Sequence, residues 1–197
     1  MLSDPDTIFD QFPVLKTARL TLRQVRPSDA PALFAIFSDP EVTRYYDQPT
    51  FTELAQAEGL AARMQQRFAE KRTVRWAITR STDDQLLGTC GYAEWKRHFR
   101  CAAVGYELAP AEWGQGIMTE ALTAVLTFGF TQMQLNRVEA YVMTGNAASM
   151  RLLQKLSFQE EGLLRQYGYW QNAYHDLHLF ALLKRDFSAL QDFVKPT

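Results

Sequence analysis

Cysteine is scarce in this 197-residue chain, with Cys90 and Cys101 its only two. So few exclude a disulfide-stapled scaffold, and reading both as reduced core residues favours a cytoplasmic setting. Long apolar runs are also missing: none approaches the roughly 18 residues that a membrane-spanning helix requires. Residues 1–6 are acidic and polar, unlike the basic and then apolar opening of a secretory leader. Neither charge sign dominates, since 21 Lys and Arg face 22 Asp and Glu. That balance, with no basic stripe or like-charge block, argues against nucleic acid as a partner, and nothing points to a membrane. His98, His175, His178 and the two cysteines show no ligand spacing, so no metal is expected. Two phosphate signatures are absent as well: there is no G-x-G-x-x-G and no G-x-x-x-x-G-K-[ST].

What is present is a full apolar complement, 47% of the residues, enough for the core of one domain. Residues 1–16 read as a lead-in, 17–187 as the domain and 188–197 as a tail. Alternation marks a strand at 19–23. Ser28-Asp29 can cap a helix carrying Leu33, Ile36 and Phe37, and Asp39-Pro40-Glu41 starts a short further turn. Thr50-Phe51-Thr52-Glu53 resembles a capping box before a polar, Ala-rich helix to about residue 71. Residues 73–79, 86–95 and 101–108 read as an antiparallel meander on short turns. A helix follows to about 130, then a strand at 137–143, a helix at 147–156 behind the N-cap Asn146, and strands at 161–165 and 174–183. The expected fold is α/β: a mixed, mostly antiparallel central sheet of about seven strands with helices on both faces.

The stretch Glu112-Trp113-Gly114-Gln115-Gly116-Ile117-Met118-Thr119-Glu120-Ala121 joins strand 101–108 to the long helix. A strand, a glycine turn and a helix start form a phosphate cradle. The first N–H groups of a helix lack internal partners, and the helix dipole adds partial positive charge there. The dipole contributes only about 0.3–1 kcal/mol, so several N–H groups must converge, which glycine permits. On its own, Gly114-x-Gly116 is equally a tight strand-to-helix turn.

Four pieces in order resemble the GNAT superfamily of acetyl-CoA-dependent N-acetyltransferases, in its ribosomal-protein (RimJ/RimL-like) branch. They are Thr17-Ala18-Arg19-Leu20-Thr21-Leu22-Arg23; Val104-Gly105-Tyr106-Glu107-Leu108 with 113–121; Asn146-Ala147-Ala148-Ser149-Met150-Arg151-Leu152-Leu153 with Phe158 and Glu161-Gly162; and Tyr174-His175-Asp176. The resemblance covers about residues 17–187. It implies acetyl-CoA as cosubstrate, with its pyrophosphate on the N–H groups of Gln115 to Thr119. Trp113, Gly114, Gln115, Gly116, Ile117, Met118 and Thr119 are thus the expected cradle. The edge backbone at Leu108 and Ala109 should pair with the pantetheine arm, one N–H polarising the thioester carbonyl. Asn146 should touch the pantetheine, and Ser149 should lie near the sulfur as general acid.

The chain also departs from that pattern. Trp113 stands at a usual Gln or Arg position, Met118 at a usual Gly or Ala, and Ser157 where Gly often precedes the Phe. Leu153 replaces a Tyr used elsewhere as general acid. Gly168 stands where the ribosomal-protein enzymes carry a catalytic carboxylate.

Direct transfer needs a neutral amine, a polarised thioester and a proton for the departing thiolate. Glu107 is the candidate base, against the simpler reading of a solvent-facing strand carboxylate. Strand parity sends Tyr106 and Leu108 to the opposite face. Ser149 and Asn146 have plain capping roles to set against the catalytic ones. His175 and Asp176 face opposite ways and form no dyad; Asp176 is expected to anchor a buried hydrogen-bond network. Tyr92 and Glu94 could line the cleft or simply pack, and Trp76, Trp95 and Trp170 read as core or rim. Tyr45, Tyr46, Glu53 and the 50–71 helix are expected to border the acceptor. The acceptor itself is a primary amine, either a protein N-terminus or a small molecule such as a polyamine, amino acid or antibiotic. A homodimer is compatible with these features. Two rivals are a non-catalytic acyl-CoA-binding module and a nucleotide-phosphate fold.

Overall fold

The computed structural model describes residues 5–187; the 188–197 tail and residues 1–4 lie outside the described residues. Eight strands form one sheet: β1 (Leu15–Lys16), β2 (Leu20–Gln24), β3 (Arg75–Arg80), β4 (Leu86–Lys96), β5 (Cys101–Leu108), β6 (Arg137–Met143), β7 (Gln159–Trp170) and β8 (Ala173–Leu183). Their spatial order is β1-β2-β3-β4-β5-β6-β8-β7, antiparallel everywhere except between β5 and β6. The helices are α1 (Ala30–Phe37), α2 (Pro40–Thr43), α3 (Leu54–Ala69), α4 (Ile117–Thr131) and α5 (Ala147–Lys155).

The strand beyond the seven expected is β1, in the segment read as a lead-in. Leu15 and Lys16 pair with Leu22 and Thr21. The same segment packs inward, with Phe9 buried and the Trp76 indole N–H donating to the Pro13 carbonyl at 2.6 Å. β7 runs past residue 165 to Trp170, through a bulge that interrupts its alternation. The register jumps between Leu164 and Gly168, and Gln166 takes φ 53°. Asp176 holds that bulge by accepting the Gln166 N–H at 2.7 Å. It is only half-buried, so the expected buried network is in fact a single bulge anchor near the surface.

Strand alternation divides the core. Leu20, Leu22, Trp76, Ile78 and Tyr92 join α4 and α5 residues in one cluster, while Val25, Ala77 and Leu86 join α1 and α3 in the other. Helices therefore cover both faces. Tyr92 is wholly buried beneath α4 and donates its hydroxyl to the Val125 carbonyl at 3.0 Å. Gly129 makes this possible, since a Cβ there would fall on the phenol oxygen.

Arg23 is buried at the end of β2. It donates to both oxygens of Asp29 at 2.8 and 2.9 Å and to Asp84 at 2.7 Å. Asp29 therefore serves as the partner of Arg23, and its side chain does not cap α1. The capping box of α3 also lies later than Thr50 to Glu53. Glu53 is the N-cap, and Gln56 Oε1 accepts its N–H at 2.9 Å.

Candidate active site

β5 and β6 pair only over residues 101–103 with 137–139. Beyond that they part, while β5 stays on β4 as far as Leu108. A bulge in β4 between Tyr92 and Glu94 lies opposite residues 103–104 of β5, just where the parting begins. A bulge bends and twists its strand, which turns β5 away from β6. The opening is a cleft of about 590 Å³ lined by the end of β5, the start of α4, β6, α5 and α2.

The cradle stands at one end. Gly114 and Gly116 both adopt φ 76°, a left-handed conformation that glycine enters without strain. The turn thus reverses sharply into α4. The first ladder bond of that helix is the Glu120 N–H to the Gly116 carbonyl at 3.1 Å, so the N–H groups of Ile117, Met118 and Thr119 precede any internal partner. No side chain caps them. Trp113, Gly114, Gly116, Ile117, Met118 and Thr119 all line the cleft. Gln115 does not: its side chain folds back to the Ala111 carbonyl at 2.8 Å, and its own carbonyl accepts Arg19 at 3.1 Å.

Glu120 fixes this turn to the link between β1 and β2. It accepts the Thr17 hydroxyl at 2.6 Å, the Arg19 N–H at 2.9 Å and the Arg19 guanidinium at 2.7 Å. Burial opposes its charge, but those hydrogen bonds outweigh burial and hold the carboxyl below its usual range.

The β5 edge corrects one expectation. The Ala109 N–H donates to Leu87 at 2.8 Å, toward β4, so it faces away from the cleft. Alternation of the ladder then turns the N–H groups of Tyr106 and Leu108 toward the parted side. The Leu108 carbonyl is already taken by the Trp113 indole at 2.9 Å. The Leu108 N–H is thus an edge donor left facing the parted side of β5.

Ser149 lies in the first turn of α5, where Asn146 accepts its N–H at 3.1 Å as the N-cap. Its hydroxyl lies 2.7 Å from the Tyr106 hydroxyl, across the cleft. Leu153, one turn on, is fully buried and offers no hydroxyl.

Glu107 is not solvent-facing; its side chain is 3% exposed. Arg75, from β3, donates to Oε2 in a close ion pair, and Thr89, from β4, donates to Oε1. The Tyr46 hydroxyl also donates to Oε2, at 3.1 Å. Burial disfavours the Arg75 charge, yet the adjacent Glu107 carboxylate more than compensates and keeps it ionised. Burial together with that same carboxylate pushes the Tyr46 phenol well above its ordinary range.

Tyr45, Tyr46, Glu41 and Val42 line the far end of the cleft. Glu53 and α3 do not, because α3 packs on α1 and Glu53 points to solvent. Tyr141 on β6 lines the same end and stacks on Tyr167 from the β7 bulge, with ring centroids 5.6 Å apart. Tyr92 is core, Glu94 is exposed, and His175 stacks on Trp170. Trp76 is core, while Trp95 and Trp170 are half-buried. Gly168 has a physical cause: any Cβ there would strike the Trp170 ring.

Arg75, Thr89 and Tyr141 escaped the sequence reading. The signal that could have found Arg75 is a cation that opens an otherwise apolar run on an interior strand, where a buried charge demands a partner.

Similarity to known proteins is consistent with this geometry. Residues 19–159 match the family model for the acetyltransferase (GNAT) domain. The chain is 40% identical over 173 residues to the uncharacterized N-acetyltransferase YoaA of Bacillus subtilis, covering 88% of this chain and 98% of YoaA. It is 38% identical over 174 residues to the uncharacterized N-acetyltransferase p20 of Bacillus licheniformis, covering 88% and 98%. Among solved structures it resembles RimL, the ribosomal L7/L12 α-N-protein acetyltransferase, in complex with coenzyme A. The TM-score is 0.79 at 21% identity, covering 89% of this chain and 99% of that one.

Proposed function

The chain belongs to the GNAT acetyltransferase family, and from that premise we propose that it passes an acetyl group from acetyl-CoA directly to a primary amine held in the cleft. The observation that carries this reading is the parting of β5 from β6 beside the uncapped start of α4. An anion suits those N–H groups, and an amide-bearing arm suits the unpaired edge. The pyrophosphate would lie across the N–H groups of Gly116 to Thr119. The pantetheine would run along Tyr106 and Leu108 and past Asn146, which places the thioester carbonyl by the Leu108 N–H. Fixing amine and thioester in one cleft makes the attack effectively intramolecular.

Glu107 takes the amine proton through the Tyr46 hydroxyl, which already bonds to it. Ser149 returns a proton to the departing sulfur. The acceptor approaches by Tyr45, Tyr46 and Tyr141, and the likeness to RimL favours a protein N-terminus over a small amine.

Free-thiol release tests this reading with two amine panels, one of short peptides with open N-termini and one of polyamines and amino acids. Products are identified by mass spectrometry. One acetyl amide per thiol released, favouring peptides, is the expected result. Binding of acetyl-CoA with no thiol released by any amine would contradict it.

A further inference from the structure

The two hydroxyls at the centre of the cleft come from opposite walls. Tyr106 projects from β5, Ser149 from the first turn of α5, and their oxygens lie 2.7 Å apart. The N-cap bond from Ser149 to Asn146 fixes the backbone on which the serine sits. A serine hydroxyl that gives up its proton becomes an alkoxide, a poor product unless a second donor refills it in the same event. Leu153, the apolar residue one turn along α5, cannot do so. Tyr106 is already in place.

We infer that Tyr106 refills Ser149 as Ser149 protonates the departing CoA sulfur, so that two hydroxyls act as one proton relay. This rests on the reading of Ser149 as the proton donor. The balance is simple. The C–S bond breaks and its electron pair stays on sulfur. The Ser149 proton goes to sulfur, and the Tyr106 proton goes to the Ser149 oxygen. After transfer Glu107 releases the amine's proton to water and the Tyr106 phenolate takes one from water, so amine and thioester become amide and thiol with no net proton change. Burial pushes the Tyr106 phenol up to about 12, against the easing effect of its bond to Ser149, so the proton is present at neutral pH. Tyr106 acts through Ser149 and is a positioning residue in this scheme.

The test uses Tyr106→Phe, which keeps the ring and its packing, beside Ser149→Ala, in single-turnover acetyl transfer at saturating acetyl-CoA. Rates are measured in mixtures of light and heavy water. Wild type should give a curved proton inventory, with two protons in flight. Tyr106→Phe should lower the rate about 10²-fold, with a straight inventory and acetyl-CoA affinity within about threefold of wild type. A wild-type rate in Tyr106→Phe, or a slowed rate that keeps the curvature, would overturn the relay. If Ser149→Ala retains the wild-type rate, the underlying reading of Ser149 fails instead. A loss in Ser149→Ala with none in Tyr106→Phe sinks the relay alone.

Discussion

The end of the cleft proposed for the cofactor and the end proposed for the acceptor are made of different material. At the start of α4 the groups free to meet a ligand are backbone amides, set by two left-handed glycines and braced from outside by Glu120 and Arg19. At the other end they are side chains drawn from distant elements: Glu107 of β5, Tyr46 beyond α2 and Tyr141 of β6 line the cleft, and Arg75 of β3 and Thr89 of β4 hold the Glu107 carboxylate from behind. A backbone site is broken by changing chain geometry and tolerates most side-chain changes. A side-chain network is broken by losing any one partner, above all a buried charge.

Substitutions should separate the two ends. The largest effect is expected from Arg75→Met, which leaves the Glu107 carboxylate buried without its cation. Breaking a buried pair in this way costs about 3–5 kcal/mol, read by urea unfolding, and CoA affinity of the folded fraction should change little. Adding Glu107→Gln to that variant should restore part of the loss. Next comes Gly116→Pro. Proline locks φ near −65° and removes an N–H, whereas this position has φ 76°. Two charge-assisted hydrogen bonds at about 1.5–3 kcal/mol each put the loss of CoA affinity at about 10³-fold by calorimetry. Normal affinity there would erase the distinction between the two ends.

Glu107→Gln alone is expected to slow transfer about 10²-fold at unchanged CoA affinity, because the amine proton loses its acceptor. A wild-type pH-rate profile would remove Glu107 from the reaction. The smallest effect belongs to Glu120. Its carboxyl is held below the ordinary glutamate range, so its contribution to stability is fully present above about pH 4.5 and is lost as pH falls through the lower folded value. Glu120→Gln should cost about 1 kcal/mol at neutral pH and flatten that part of the acid-unfolding curve.

The same contrast explains what could be read from the chain. The glycine turn and the Asn146 cap of Ser149 are local, so a few adjacent residues specify them. Arg75 and Glu107 are 32 residues apart, and Tyr106 and Ser149 are 43 apart. Only the packing of the sheet and of α5 brings such partners together. Parity along β5 was legible in principle. It separates Leu108 from Ala109, but the side that pairs with β4 becomes visible only once the ladder is known. The far end of β7 stayed hidden because its bulge breaks the period-two pattern at residues 165–167.

Amide hydrogen exchange with and without coenzyme A tests the central claim most directly. Protection should rise at Gly116 to Thr119 and at Leu108, with Ala109 unchanged because its N–H already serves β4. Protection confined to other segments, with those amides exchanging as in the free protein, would contradict it.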